Sequence, residues 1–218
     1  NMEMVHATIN HPSVVIWSLG NEAGPGDNFK ECYRAIKDYD TSRPVQYERN
    51  NDIVDMGSNQ YPSIAWVQGA VKGTYKLKYP FHISEYAHSM GNACGNLIDY
   101  WNAIESTNFF MGGAIWDWVD QALDKRDPTT GKTYWAYGGD FGADNKPNDG
   151  MFCMNGILRP DFTPKAQYFE VKKVYQNVSV KAVDMKKGLV EIFNKNYFEP
   201  LRGYQIVWSL YKDGVCVL

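Results

Sequence analysis

The chain has 218 residues, with 22 Lys+Arg against 25 Asp+Glu and a net charge of −3; with no dense basic stripe, this argues against a nucleic-acid partner. Hydrophobic content of 44% and charged content of 22% are ordinary for a globular protein. The aromatic share of 15% stands out: flat rings either fill a core or face ligands with apolar C–H patches, sugars among them.

In chain order, Met4, Val5 and Thr8 sit at helical spacing until Pro12 ends the element. The run Val14 to Leu19 is apolar on both faces, as in a buried parallel strand. Phe29, Cys32, Tyr33 and Ile36 predict a helix, with Asn28 and Glu31 placed like a capping pair. Short strands follow at Val45 to Tyr47 and around Asp55 to Gln60, then a helix over Ile64 to Val71. Phe81 to Ser84 reads as a strand ending at Glu85, and Leu97, Trp101 and Ile104 mark a helix. Gly113 to Trp116 is a further strand, closed by Asp117. Residues Asp117 to Pro164 lack periodicity and are rich in Gly, Asp and Asn, which suggests a long functional loop. A last helix begins near Pro164. From Val178 the pattern turns to period two: Val178/Val180/Ala182, Val190/Ile192 and Tyr204/Ile206/Trp208/Leu210.

Alternating strands and helices with polar strand ends imply a parallel α/β sheet, either doubly wound or a (β/α)8 barrel. Glu22, Glu85 and Asp117 all emerge at strand ends, as barrel active-site residues do, and no glycine-rich nucleotide fingerprint is present. Five strands are too few for a closed barrel. The expected architecture is therefore the C-terminal half of a TIM (β/α)8 barrel over residues 1–176, followed by the incomplete start of an all-β sandwich over 177–218. The chain reads as a segment of a larger protein. Cys32, Cys94, Cys153 and Cys216 form no CxxC pair and read as four buried free thiols. No run approaches the ~20 apolar residues of a membrane span, so no membrane partner is expected, and nothing resembles a signal peptide.

Two strand-end carboxylates across one pocket are what glycoside hydrolysis requires: one protonates the leaving oxygen and the other attacks the anomeric carbon. A lone strand-end Glu more often caps a helix or pairs with an arginine. Glu22 and Glu85, in similar settings beside Asn21 and Tyr86, shift the balance toward chemistry. The blocks "NHPSVVIWSLGNEAG", "RPVQYE", "SEYAHSMGN", "GGAIWDWVDQAL", "AYGGDFG" and "FCMNGIL" resemble, in order, the catalytic region of the β-galactosidases of glycoside hydrolase family two. The resemblance runs from about His11 to Pro164.

The resemblance implies a retaining β-galactosidase with Glu22 as general acid/base and Glu85 as nucleophile. It implies that Asn21 bonds the sugar hydroxyl beside the reacting carbon, and that Tyr61 lies against the nucleophile. His88 would contact the galactosyl group and Trp116 would receive the sugar on its face. Asn155 and the backbone of Phe152 would serve a sodium ion. Glu22 would be one magnesium ligand, its partners lying in another segment. Both ions are thus expected in the parent enzyme, and absent or weak in this fragment, which is itself expected to be inactive. The implied partners are a β-galactoside such as lactose or a galactose-containing glycan, and a second copy of the enzyme as a homo-oligomer. Gly24-Pro25-Gly26 carries proline where many relatives have histidine, and the block Gly142 to Gly150 is slightly long; both bear on substrate preference. Alternatives are a sister β-glucuronidase or β-mannosidase, or a non-catalytic carbohydrate-binding module. The compartment, cytoplasmic or periplasmic, stays open.

Overall fold

A computed structural model describes residues 1–218. They form two compact units, Asn1–Val174 and Tyr175–Leu218. In the first, helices and strands alternate: α1 (Met2–Thr8), β1 (Trp17–Ser18), α2 (Asp27–Tyr39), β2 (Val45–Gln46), β3 (Gly57–Gln60), α3 (Ile64–Val71), β4 (Phe81–Tyr86), α4 (Leu97–Glu105) and β5 (Phe110–Ile115). A hairpin of β6 (Leu123–Arg126) and β7 (Thr133–Ala136) precedes α5 (Ala166–Val174). All pairing among β1 to β5 is parallel, in two ladders: β1-β2 and β3-β4-β5.

Local chemistry explains the boundaries. β1 is shorter than the apolar run around it. Pro44, beside the start of the β2 ladder, has no N–H to extend the pairing, and the Val14 carbonyl instead accepts from Arg43 Nε at 2.7 Å. The expected capping pair at Asn28 and Glu31 does not form. Helix α2 starts two residues earlier, with Gly26 as an N-cap lacking a side-chain bond, and Asp27 pairs with Lys30 at 2.8 Å. Helix α3 matches its predicted span, capped by the Ser63 side chain accepting from Trp66 N. The polar strand β3 needs Gly57 because a Cβ there would lie 2.3 Å from Phe81 Cδ2 and 2.7 Å from the Lys78 carbonyl oxygen.

The first unit holds two cores. One joins Val5, Trp17, Leu19, Ile36, Val45, Tyr47 and Val54 around the β1-β2 ladder. The other gathers Val67, Phe81, Ile83, Leu97, Ile104, Phe110 and Ile157 around β3-β4-β5. Each fully buried side chain of this kind contributes roughly 1.5–3 kcal/mol. Polar staples tie loops to these cores. Asp40 accepts from Trp17 Nε1 (2.9 Å) and Arg43 Nη1 (2.7 Å), while Arg43 Nη2 donates to the Ile9 carbonyl (2.7 Å).

Two sequence expectations are corrected here. The stretch from Asp117 to Pro164 is not one loop: Leu123–Ala136 supplies an antiparallel hairpin, and Val119 and Pro164 each bridge to Leu158. Its strands escape a periodicity reading because one face packs on nothing, leaving Leu123 exposed and Asp124, Lys125 and Arg126 in the ladder. Nor are the four thiols all buried: they are free, but only Cys94 is buried and Cys216 is exposed.

The second unit contains β8 (Val178–Asp184) paired antiparallel with β9 (Leu189–Asn194), and a short hairpin of β10 (Tyr211–Lys212) and β11 (Val215–Cys216). The alternating run Tyr204 to Leu210 does not form the expected strand. No partner strand lies beside it, and only Leu210 joins a ladder-like pair, with Val217 and Leu218. The unit is two hairpins, not a second packed sheet. No helix in the structure is long and apolar enough to cross a membrane.

Candidate active site

The ends of the parallel strands place the chemistry. Just beyond β1 the chain carries Asn21 and Glu22; just beyond β3, Tyr61; near the end of β4, Glu85 and then His88; just beyond β5, Trp116. These side chains, with Phe152 from the later segment, line one cleft of about 430 Å³. Met90 completes the lining and carries no sequence signal of its own. Seven of the eight residues singled out from sequence are therefore brought together. The eighth, Asn155, is buried behind the cleft wall and donates from Nδ2 to the Phe152 carbonyl at 2.8 Å.

The backbone is bent sharply at three of these strand ends. Glu22, Tyr61 and Ala87 have φ of 49°, 49° and 53°. For a side-chain-bearing residue that left-handed conformation costs on the order of 1–3 kcal/mol and persists only when neighbours enforce it. The enforcing bonds are visible. Tyr61 N donates to the Glu85 carbonyl at 2.8 Å, Ser89 N to the Trp116 carbonyl at 2.9 Å, and Trp116 N to the Tyr86 carbonyl at 3.0 Å. Glu22 N donates to Glu48 Oε1 at 2.9 Å. Asp117 N and O bond Asn155 O and Ile157 N, fastening the 152–158 segment to the end of β5. That fastening needs Gly156, whose Cβ would meet Asp120 N at 2.1 Å.

Electrostatically the cleft joins carboxylates to neutral donors. The Tyr61 phenol hydrogen-bonds Glu85. Partial burial, that bond, and the charges of Glu85, Glu22 and Asp117 push the phenol far above its usual range, so it stays protonated and donates. His88 stacks obliquely against Phe152 (5.5 Å) and edge-on to Tyr61 (5.8 Å). Its buried Nε2 has no protein partner, and neither has Asn155 Oδ1. Gln46 Oε1 and Ser58 Oγ share this state outside the cleft; buried polar atoms of this kind take their partner from a water, an ion or a ligand. On the outer side of Glu22, Arg49 Nη2 approaches its Oε1 at 3.7 Å and donates to Gln60 Oε1 at 3.0 Å, and Gln60 Nε2 reaches Asn21 Oδ1 at 3.4 Å. Glu48, like Glu22 and Glu85, is a carboxylate at the C-terminal end of a strand, so the signal used for the other two was present for it as well.

For metals, the donor sets differ. The orphaned, buried Asn155 Oδ1 beside the Phe152 carbonyl fits a hard monovalent cation. Magnesium prefers near-octahedral oxygen ligation. No three His, Cys, Asp or Glu side chains converge to hold a metal, and Glu22 alone, with a guanidinium beside it, does not make that site.

Two carboxylates and a phenol near the C-terminal ends of parallel strands, flanked by aromatic rings, match the arrangement that α/β glycoside hydrolases use. The comparisons bear directly on this. Residues 1–180 match the family described as glycosyl hydrolases family 2, TIM barrel domain. A β-galactosidase of Priestia megaterium is 44% identical over 211 residues, covering 95% of this chain and 20% of the relative. One of Pseudoalteromonas haloplanktis is 38% identical, covering 99% of this chain and 22% of the relative. The chain thus spans about a fifth of the length of these curated relatives. Among solved structures, a β-galacturonidase of Eisenbergiella tayi aligns with a TM-score of 0.54 at 20% identity, over 80% of this chain and 35% of that one. Bacteroides uniformis β-glucuronidase 3 aligns with a TM-score of 0.55 at 17% identity, over 83% and 27%. These structural likenesses show the fold, a TIM-barrel-related α/β architecture. The chain belongs to glycosyl hydrolase family 2.

Proposed function

We propose that this segment carries the catalytic centre of a retaining β-galactosidase. The observation that carries the reading is the convergence of Asn21, Glu22, Tyr61, Glu85, His88 and Trp116 on one cleft. Glu85 attacks the anomeric carbon as the leaving oxygen takes a proton from Glu22. Water, deprotonated by Glu22, then releases the sugar with retained configuration. Tyr61, held protonated, fixes the Glu85 carboxylate by donating to it. Asn21 bonds the hydroxyl next to the reacting carbon, in a contact that tightens as charge develops on the ring. His88 Nε2 bonds a further hydroxyl, and Trp116 takes the apolar sugar face. The lining of neutral donors and rings suits an uncharged sugar, and the relatives of highest identity cited above are named as β-galactosidases.

Asn155 Oδ1 and the Phe152 carbonyl would hold sodium, which when bound supplies positive charge beside a sugar hydroxyl. The magnesium set does not close on this chain, and no step here runs through it. We propose further that residues 1–176 belong to the barrel and 177–218 open a sandwich, within an enzyme that assembles as a homo-oligomer. A 2-fluorogalactoside inactivator, applied to the full-length enzyme, tests the centre: peptide mapping should find the sugar on Glu85. A label on any other carboxylate overturns the assignment.

A further inference from the structure

Glu22 sits in a left-handed backbone conformation on an exposed loop, a state that local preference opposes. Three consecutive residues beyond β2 hold it there. Tyr47, fully buried and stacked on Phe29 at 4.2 Å, donates from its hydroxyl to the Gly24 carbonyl at 2.8 Å. Glu48, whose side chain is only 2% exposed, accepts the Glu22 N–H at 2.9 Å. Arg49 lies 3.7 Å from the Glu22 carboxylate and 3.8 Å from that of Glu48. Through Gln60, Arg49 also reaches Asn21, whose amide oxygen is committed to Gln60 Nε2, keeping its NH2 as a donor for ligand. The clamp is anchored, because β2 itself is buried and paired to β1.

We infer that Tyr47-Glu48-Arg49 is the positioning element of the acid/base loop, with Glu48 its central residue. The inference rests on the glycosidase reading above. A buried carboxylate that accepts the backbone N–H of the acid fixes where that acid's side chain departs from the chain. A misplacement of about 1 Å at such a position costs about 10²-fold in rate. None of the three needs to touch substrate to act this way, and the effect falls on the proton transfers of Glu22, of which kcat/KM reads donation to the leaving group and not the later activation of water.

That selectivity is the test. In the full-length enzyme, kcat/KM is measured for lactose, whose leaving group must be protonated, and for dinitrophenyl β-galactoside, whose leaving group departs unprotonated. Glu48→Leu should lower the lactose value about 10²-fold and change the dinitrophenyl value little. Glu48→Gln, which keeps an acceptor oxygen, should recover most of the loss. Tyr47→Phe keeps the ring packing and should show a smaller loss, about fivefold to tenfold for one neutral hydrogen bond, with the same preference for the unactivated substrate. Equal losses on both substrates, no loss in either variant, or a Gln variant as poor as the Leu variant overturns the positioning role. If Glu48→Leu does not fold, Tyr47→Phe decides by the same two-substrate comparison. A wild-type enzyme inert toward both galactosides sinks the glycosidase reading, and this inference falls with it for that separate reason.

Discussion

Glu22 and Glu85 are the same residue type at equivalent strand ends, and their surroundings set them apart. Glu85 receives the Tyr61 phenol, whereas Glu22 faces Arg49 and is half exposed, at 50%. An oriented carboxylate suits attack on carbon; a carboxyl open to solvent suits exchanging a proton with a leaving group and then with water. In the full-length enzyme, Glu85→Gln should abolish glycosyl-enzyme formation with every leaving group. Glu22→Gln should still react with activated aryl galactosides, accumulate the glycosyl-enzyme, and be rescued by azide to give the β-azide, since azide needs no base. In Glu85→Gln azide could give only the inverted α-product. Product analysis by NMR separates the cases, and exchanged behaviours would reverse the two roles. At this scale the sequence was informative because strand-end acids are conspicuous against apolar runs. Met90 and Arg49 were not legible, since their place in or beside the cleft depends on how loops fold back.

At the scale of elements, the parallel ladders were readable because Val14 to Leu19 is a nearly unbroken apolar run and Phe81 and Ile83, both buried, mark the inner face of a short strand. The β6-β7 hairpin was hidden because its ladder residues are mostly charged or exposed. The start of α2 depended on the backbone carbonyl of Gly26 and not on the side chains nearby, whereas α3 starts on the Ser63 side chain the sequence offered. The element ends also depend on staples such as Asp40–Arg43, which joins α2, β1 and the Ile9 to Val14 loop. The Ser42 hydroxyl, with Trp17 and Arg43, holds the Asp40 carboxyl well below its usual range against the opposing effect of burial. A depressed carboxyl stabilises the fold above its ordinary value near 3.8, and that contribution is lost as pH falls toward its lower folded value. Urea unfolding should therefore show wild-type stability dropping steeply below about pH 4, with Asp40→Asn less stable at neutral pH but flatter across that range. Arg43→Ala, which strips a buried partner, should cost about 3 kcal/mol, the low end for a broken buried pair because Ser42 and Trp17 still serve Asp40. A pH profile of Asp40→Asn parallel to wild type would mean that the carboxylate is not the linked group.

Across the whole molecule, burial is unevenly shared. Asn1–Val174 encloses both cores, while no residue of Tyr175–Leu218 is buried. In that second unit the alternation seen in sequence is real, but neither face is covered: Val180, Ile192, Phe193, Ile206 and Trp208 are all exposed, and Phe198 is 100% so. Two-stranded hairpins are marginal in water unless their apolar face packs on something, and β8-β9 and β10-β11 leave open edges that can pair with other chains. Large exposed apolar side chains in such number favour association. The 218-residue chain expressed alone should consequently self-associate. Sedimentation velocity should show a weight-average mass that rises with concentration above the 24.9 kDa of one chain. Replacing Ile206 and Trp208 with Ser and Lys should lower that mass, because it removes apolar surface without touching either core. A sharp 24.9 kDa boundary at every concentration would mean that the exposed strands find cover within one chain.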